Sequence, residues 1–164
     1  MDYPQRLAQM QSVDATLRKE LWFEAGKWKT LVQLWPSPEA PTCAMLQLYK
    51  DGWHNEDTCG VHIETWLLDG PVENQKVPVL MHVLHRKTFP GGQNADALSK
   101  PLLEDAEVQK LVKSWRGYKA GKGGMTPFRA NKALKEDSVV QDLVTELNKV
   151  QAIGMYVDRY LAAI

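Results

Sequence analysis

The sequence predicts an α+β fold: an N-terminal helix, an antiparallel four-stranded meander, then C-terminal helices packed on the sheet. Three observations carry this expectation. Apolar residues recur every three or four positions in residues 4–23 and again after residue 99, the period of an amphipathic helix. Between those stretches, residues 27–86 hold four short apolar runs punctuated by Pro, Gly and Asp, as strands and turns are. At 164 residues, 44% of them hydrophobic, the chain suits one globular domain, 1–164, able to bury roughly 70% of its unfolded surface. A core of that size needs neither metal nor disulfide to be stable.

In the first helix Leu7, Met10, Val13, Leu17 and Leu21 share a face, Pro4 suits the first turn and Gly26 ends it. The first strand covers Lys27–Trp35, and Pro36-Ser-Pro38 stops it. The second, Cys43–Lys50, places Ala44, Leu46 and Leu48 on one face. Asp51-Gly52 and His54-Asn55-Glu56-Asp57 connect it to the third, Val61–Leu68, which Asp69-Gly70-Pro71 ends. The fourth, Val77–Arg86, is apolar on both parities, as a central strand is.

Beyond Phe89-Pro-Gly-Gly92 the pattern turns helical. Ser99 can cap a helix with Pro101 in its first turn, and Leu103, Val108, Leu111, Val112 and Trp115 supply its stripe. Residues 116–126 hold four glycines and read as an irregular, mobile loop. Thr126-Pro127 reads as the start of a short helix to about Lys135. In the last helix Ser138 and Gln141 match a capping box, and Val140, Val144, Leu147, Val150, Val157, Leu161 and Ile164 keep one face apolar. Gly154 inside it costs about 1 kcal/mol relative to Ala, which a close packing contact would explain.

Charge narrows the partners. With 20 basic and 20 acidic residues, no global field advertises a nucleic acid or a membrane. No apolar run approaches the roughly 20 residues that span a bilayer, and MDYPQRLAQM lacks the apolar core of a signal peptide. In a hairpin of residues 43–50 and 60–68, Cys43 and Cys59 would stand at opposite ends, roughly 26 Å apart at about 3.3 Å per residue. A disulfide tolerates about 7 Å. Two free thiols without an export signal indicate a reducing cytoplasm. Neither cysteine has a nucleophile's sequence context, and no Gly-x-Ser-x-Gly elbow occurs.

Residues 42–86 contain all four histidines: His54, His62, His82 and His85. Alternation puts His62, Glu64 and Trp66 on one face of their strand. His82 and His85 are three apart and so point to opposite faces of a regular strand. Whatever the register, one of them joins the His62 and Glu64 face. Such a group suits a divalent metal or acid–base chemistry, although no His-Glu-x-x-His or Cys-x-x-Cys spacing occurs. The plain alternative is a cross-strand polar surface. The acidic run His54–Asp57 reads as a solvated turn. A restriction-type nuclease site fails because Glu64-Thr-Trp66 lacks the required lysine.

A second feature is charge segregation. Residues 110–135 carry eight lysines or arginines and no acid in a chain of net charge zero, so the remainder carries minus eight. The Gly-Lys-Gly-Gly within them is not a phosphate loop: Gly117 and Gly121 are too close, and Gly123 stands where Ser or Thr should bind magnesium. Backbone N–H groups beside Thr126 at a helix start would still suit a phosphate or carboxylate. Trp115, Tyr118 and Phe128 could stack on bases or anchor a core.

The sequence therefore points first to a cytoplasmic binding domain for an anionic small molecule or an acidic protein surface, ahead of a nucleic acid. Its ligand-binding residues would be Arg116, Lys119, Lys122, Thr126, Arg129 and Lys132, with no cofactor. The alternative is an enzyme using His62, Glu64, His82 and His85, with a divalent metal or by acid–base chemistry. A third reading is a structural or oligomeric role for the apolar stripe of the last helix. No motif specifies a reaction.

Overall fold

The computed structural model describes residues 3–36, 42–85 and 87–164. The expected loop at Pro36–Pro38 lies largely outside these residues, as does Arg86 at the end of the fourth expected strand.

The protein is α+β. Helices α1 (Tyr3–Leu17) and α2 (Leu21–Ala25) precede strands β1 (Trp28–Trp35), β2 (Cys43–Lys50), β3 (Val61–Leu68) and β4 (Val77–Val83). Helices α3 (Asp96–Glu104) and α4 (Ala106–Ser114) follow, then β5 (Lys119–Ala120), β6 (Phe128–Lys132), α5 (Val139–Val150) and α6 (Gly154–Leu161). Among the described residues the antiparallel sheet has six strands in the order β1-β2-β3-β4-β6-β5. The meander is present, but it is two strands short of the sheet.

The missing pair comes from the segment expected to be a loop and a helix. Phe128 and Ala130 are buried while Arg129 and Asn131 are exposed, a period of two that suits a strand. β6 pairs with β4, with Leu80 opposite Arg129, and so covers the edge that β4 would otherwise expose. The Thr126-Pro127 start signal led to a strand, and sheet pairing overrode the local helical cue. Part of the glycine stretch is also regular: Lys119 and Ala120 pair with Arg129 and Phe128. Gly121 is needed there, since a Cβ would stand 2.5 Å from the Thr126 carbonyl oxygen.

The helices differ from expectation where the backbone breaks. The first is interrupted before Leu21, which opens α2 and is 93% exposed instead of facing the core. The stretch expected to start at Ser99 begins at Asp96, with Ser99 buried inside it and its hydroxyl donating to the Ala95 carbonyl. Asp105 then divides α3 from α4 by accepting from the N–H groups of Glu107 and Val108. The last helix is split by a 3₁₀ turn at Gln151–Ile153. Ser138 forms no backbone cap; its hydroxyl donates to Asp142.

One face of the sheet carries the core. Ala44, Leu46 and Leu48 of β2, Val61, Ile63 and Leu67 of β3, and Val77, Val79 and Met81 of β4 pack with Met10, Val13 and Leu17 of α1 and Leu143 and Leu147 of α5. Trp28 closes one end between two glycines: a Cβ on Gly26 would lie 2.6 Å from its ring, and one on Gly154 2.5 Å. The close contact expected at Gly154 is this indole. Among the described residues no helix is long and apolar enough to cross a membrane.

Candidate functional site

The other sheet face carries the polar groups. Directly opposed residues share a face, so Gln47, Glu64, Leu80, Arg129 and Lys119 form one row across five strands. His62 stands opposite His82 in the neighbouring row. Both rings reach the same carboxylate: His62 Nε2 is 3.0 Å from Glu64 Oε2, and His82 Nδ1 is 3.2 Å from Glu64 Oε1. One donor atom from each of the three residues lies within 4.8 Å of the others.

His85 also joins this side, against the alternation of a regular strand. β4 ends at Val83, and Leu84 takes a φ of 51°, so the two-residue alternation stops before His85. Its ring centroid is 5.3 Å from that of His82.

A relay from the backbone orients His62. Gly60 N–H donates to Asn55 Oδ1, which therefore also accepts from His62 Nδ1 at 2.8 Å. Asn55 Nδ2 then donates to Gln47 Oε1, leaving Gln47 Nε2 to donate to the Thr58 carbonyl and towards His62 Nε2. The network thus assigns the proton to Nδ1 and the lone pair to Nε2. His62 itself is buried.

The same nitrogen, Nε2, lies 3.0 Å from Glu64 Oε2. Burial pushes the Glu64 carboxyl up, but hydrogen bonding with His62 and His82 outweighs it and holds it at about 2. His62 Nε2 is therefore claimed twice: the Gln47 N–H seeks its lone pair, and the Glu64 carboxylate seeks a proton there.

The turn supplying Asn55 and Thr58 is held in a demanding conformation. His54 and Thr58 have φ of 55° and 68°, a region that a β-branched residue rarely adopts. Val61 N–H bonded to the Trp53 carbonyl, Leu84 N–H to that of Gly60 and His85 N–H to that of Cys59 fix it. Gly60 is required: a Cβ would lie 1.8 Å from the His54 carbonyl oxygen. The acidic run is thus not wholly solvated, because Asn55 is buried at its centre.

His62, Glu64, His82 and Gln47 border a cavity of about 350 Å³ that also takes in Trp35, Cys43, Met45, Trp66 and Leu68. Cys43 and Cys59 are free thiols. Burial, then the Glu64 charge, pushes the Cys43 thiol up to about 11, so it stays protonated and unreactive at neutral pH.

The basic segment is not gathered into one site. Lys119 and Arg129 are exposed cross-strand partners on the open sheet face. Lys122 lies in the exposed turn between β5 and β6. Arg116 follows α4, and its carbonyl accepts from Lys132 Nζ. Lys132 also pairs with Glu146 at 3.0 Å and stands over the Tyr118 ring, tying β6 to α5. Thr126 precedes a strand, so the expected helix N-terminus is not there. Trp115 and Phe128 are core anchors.

Comparison with protein-family models, curated proteins and solved structures gave no match, so function is read from the chain's own residues. Sequence reasoning missed Gln47, Asn55 and Gly60. Gln47 left a faint signal as the single amide in the apolar run Cys43–Lys50. Asn55 and Gly60 left none, because their roles depend on how the turn folds back.

Proposed function

We propose that the protein is a divalent-metal-dependent hydrolase whose ion is held by His62, Glu64 and His82. The observation that carries this is the convergence of His62 Nε2 and the Glu64 carboxylate, 3.0 Å apart, with a His82 ring nitrogen within 4.8 Å of them. A cation stabilises both at once. Asn55 supplies the outer hydrogen bond that a metal-binding imidazole normally makes through its other nitrogen.

Two imidazoles and one carboxylate are a ligand set for zinc with a fourth position left for water. Tetrahedral zinc, with bonds of about 2.1 Å, wants donors about 3.4 Å apart. The present limit of 4.8 Å closes on an ion by rotation of His82, whose side chain is 20% exposed against 1% for His62.

An ion held by His62, Glu64 and His82 would supply a Lewis acid for a carbonyl and a bound water with its pKa lowered towards about 7. These are the two requirements of metal-assisted hydrolysis, in which the hydroxyl of water ends on the acyl product and its proton on the leaving group.

A second reading, anion binding by the basic segment, keeps one supporting observation. Lys119 and Arg129 lie in the Glu64 row, with Arg129 two strands away, about 10 Å at ordinary strand spacing. Neutralising both should weaken the binding of anionic ligands at low salt, and unchanged affinity would remove this reading.

The hydrolase reading is tested with activated aryl esters. Zinc-loaded protein should hydrolyse them, lose activity on chelation and recover it with one equivalent of zinc. Hydrolysis that survives chelation, or persists in His82→Ala, would contradict it.

A further inference from the structure

The geometry points to a substrate class for this site: a carbonyl compound bearing an elongated apolar chain, alkyl or aryl-alkyl, of about eight to ten carbons. The inference rests on the metal-site reading and deepens it. Its basis is a polarity gradient along a single face of two neighbouring strands.

The register sets out the gradient pair by pair. At one end of the cavity His62 lies opposite His82, and Gln47 opposite Glu64. The next pair on the same face is Met45 and Trp66, and the next is Cys43 and Leu68, with Trp35 beside Cys43. All border the same cavity of about 350 Å³, which falls within the usual size range for a small-molecule site. The end holding the donor atoms can polarise a carbonyl. The other five side chains offer hydrocarbon, indole, thioether and thiol groups, with no acidic or basic residue among them. Apolar trough and donor cluster are therefore two ends of one cavity, not separate features.

Length follows from the strands. Leu68 is four residues beyond Glu64, about 13 Å at about 3.3 Å per residue. The ion and the carbonyl would take up about 2–3 Å of this length. An extended chain advances about 1.2 Å per bond, so about eight to ten carbons fill the rest of the trough. Met45 and Cys43 are buried in the floor, while Trp35 and Leu68 are more exposed at the far mouth. A longer chain would emerge there into water and gain nothing further.

Straight-chain alkyl hydroxamates test this, because the head chelates the ion while the tail samples the trough. They would be titrated from two to twelve carbons into the cobalt-loaded full chain, following tryptophan fluorescence and the cobalt absorption band. The dissociation constant should fall about fourfold per added methylene and level off near eight to ten carbons. Leu68→Trp should move the levelling point to a shorter chain, and Trp35→Lys should flatten the gain from the longest tails. Both should keep full metal content and unchanged affinity for acetohydroxamate. Affinity independent of chain length, with a cobalt band that still responds to the head group, would overturn the inference and leave the metal site standing. A protein that takes up no metal would overturn both.

Discussion

Asn55 Oδ1 stands 2.8 Å from Nδ1 of His62, so a residue of a surface-seeking turn decides which ring nitrogen faces the carboxylate. The same oxygen is fixed by the Gly60 N–H. Orientation at the site is therefore set by main chain through one amide.

Asn55→Ala should weaken divalent-metal affinity about 10- to 100-fold, the usual effect of losing an outer-shell partner. Asn55→Asp keeps an acceptor towards both Gly60 and His62 and should retain affinity within about tenfold. Calorimetric titration of both variants checks this. Equal affinity for wild type and Asn55→Ala would mean that His62 needs no such support.

Gly60→Ala should destabilise the protein by more than about 3 kcal/mol, because the new Cβ meets the His54 carbonyl at 1.8 Å and backbone must move. Gly52→Ala is the control. Gly52 has φ of 81° with open space around it, so only conformational strain of about 1–2 kcal/mol is expected. Urea melts of both would rank the two effects.

Arg6, buried in α1, donates to Glu136, to Gln9 and to the Gly70 carbonyl. The Arg6 guanidinium leads the contacts that hold the Glu136 carboxyl at about 2, below its ordinary 4.5. A carboxylate depressed in the folded state contributes stability that is fully present above pH 4.5. That contribution is lost as pH falls from 4.5 towards about 2. Glu136→Gln should flatten this part of the stability–pH curve while leaving its shape above pH 5 alone. A curve of unchanged slope in the variant would assign the acid sensitivity elsewhere.

Thr65 sits on the core face of β3 with its hydroxyl buried and, among the described residues, without a hydrogen-bond partner. An unsatisfied buried hydroxyl costs about 1–3 kcal/mol. Thr65→Val should therefore raise unfolding free energy by about 1 kcal/mol in chemical denaturation. A decrease would show that the hydroxyl is satisfied in solution.

The extent to which the sequence revealed these features follows contact range. β2 and β3 were legible to the residue, because Cys43–Lys50 and Val61–Leu68 are bounded by turn residues and need no distant partner to be recognised. β6 was not legible, since Phe128–Lys132 becomes a strand only by covering β4. Gly154 carried a real signal, but its partner Trp28 lies far away in sequence.

The site divides in the same way. Parity alone required a second histidine on the His62 and Glu64 face, and the register, which parity does not set, brings His82 opposite His62. Parity also misplaced His85, because the left-handed Leu84 ends the alternation. Gln47, Asn55 and Gly60 were illegible because hydrogen bonds between a strand and a folded-back turn leave no periodicity.

The central claim is that His62, Glu64 and His82 hold one divalent ion. The most direct measurement is a calorimetric zinc titration of metal-stripped wild type beside Glu64→Ala and His62→Ala. The account predicts one ion per chain for wild type and affinity lowered at least about 100-fold in each variant, since each removes a ligand of three. Wild type that binds no zinc, or variants that bind it equally well, would contradict the account.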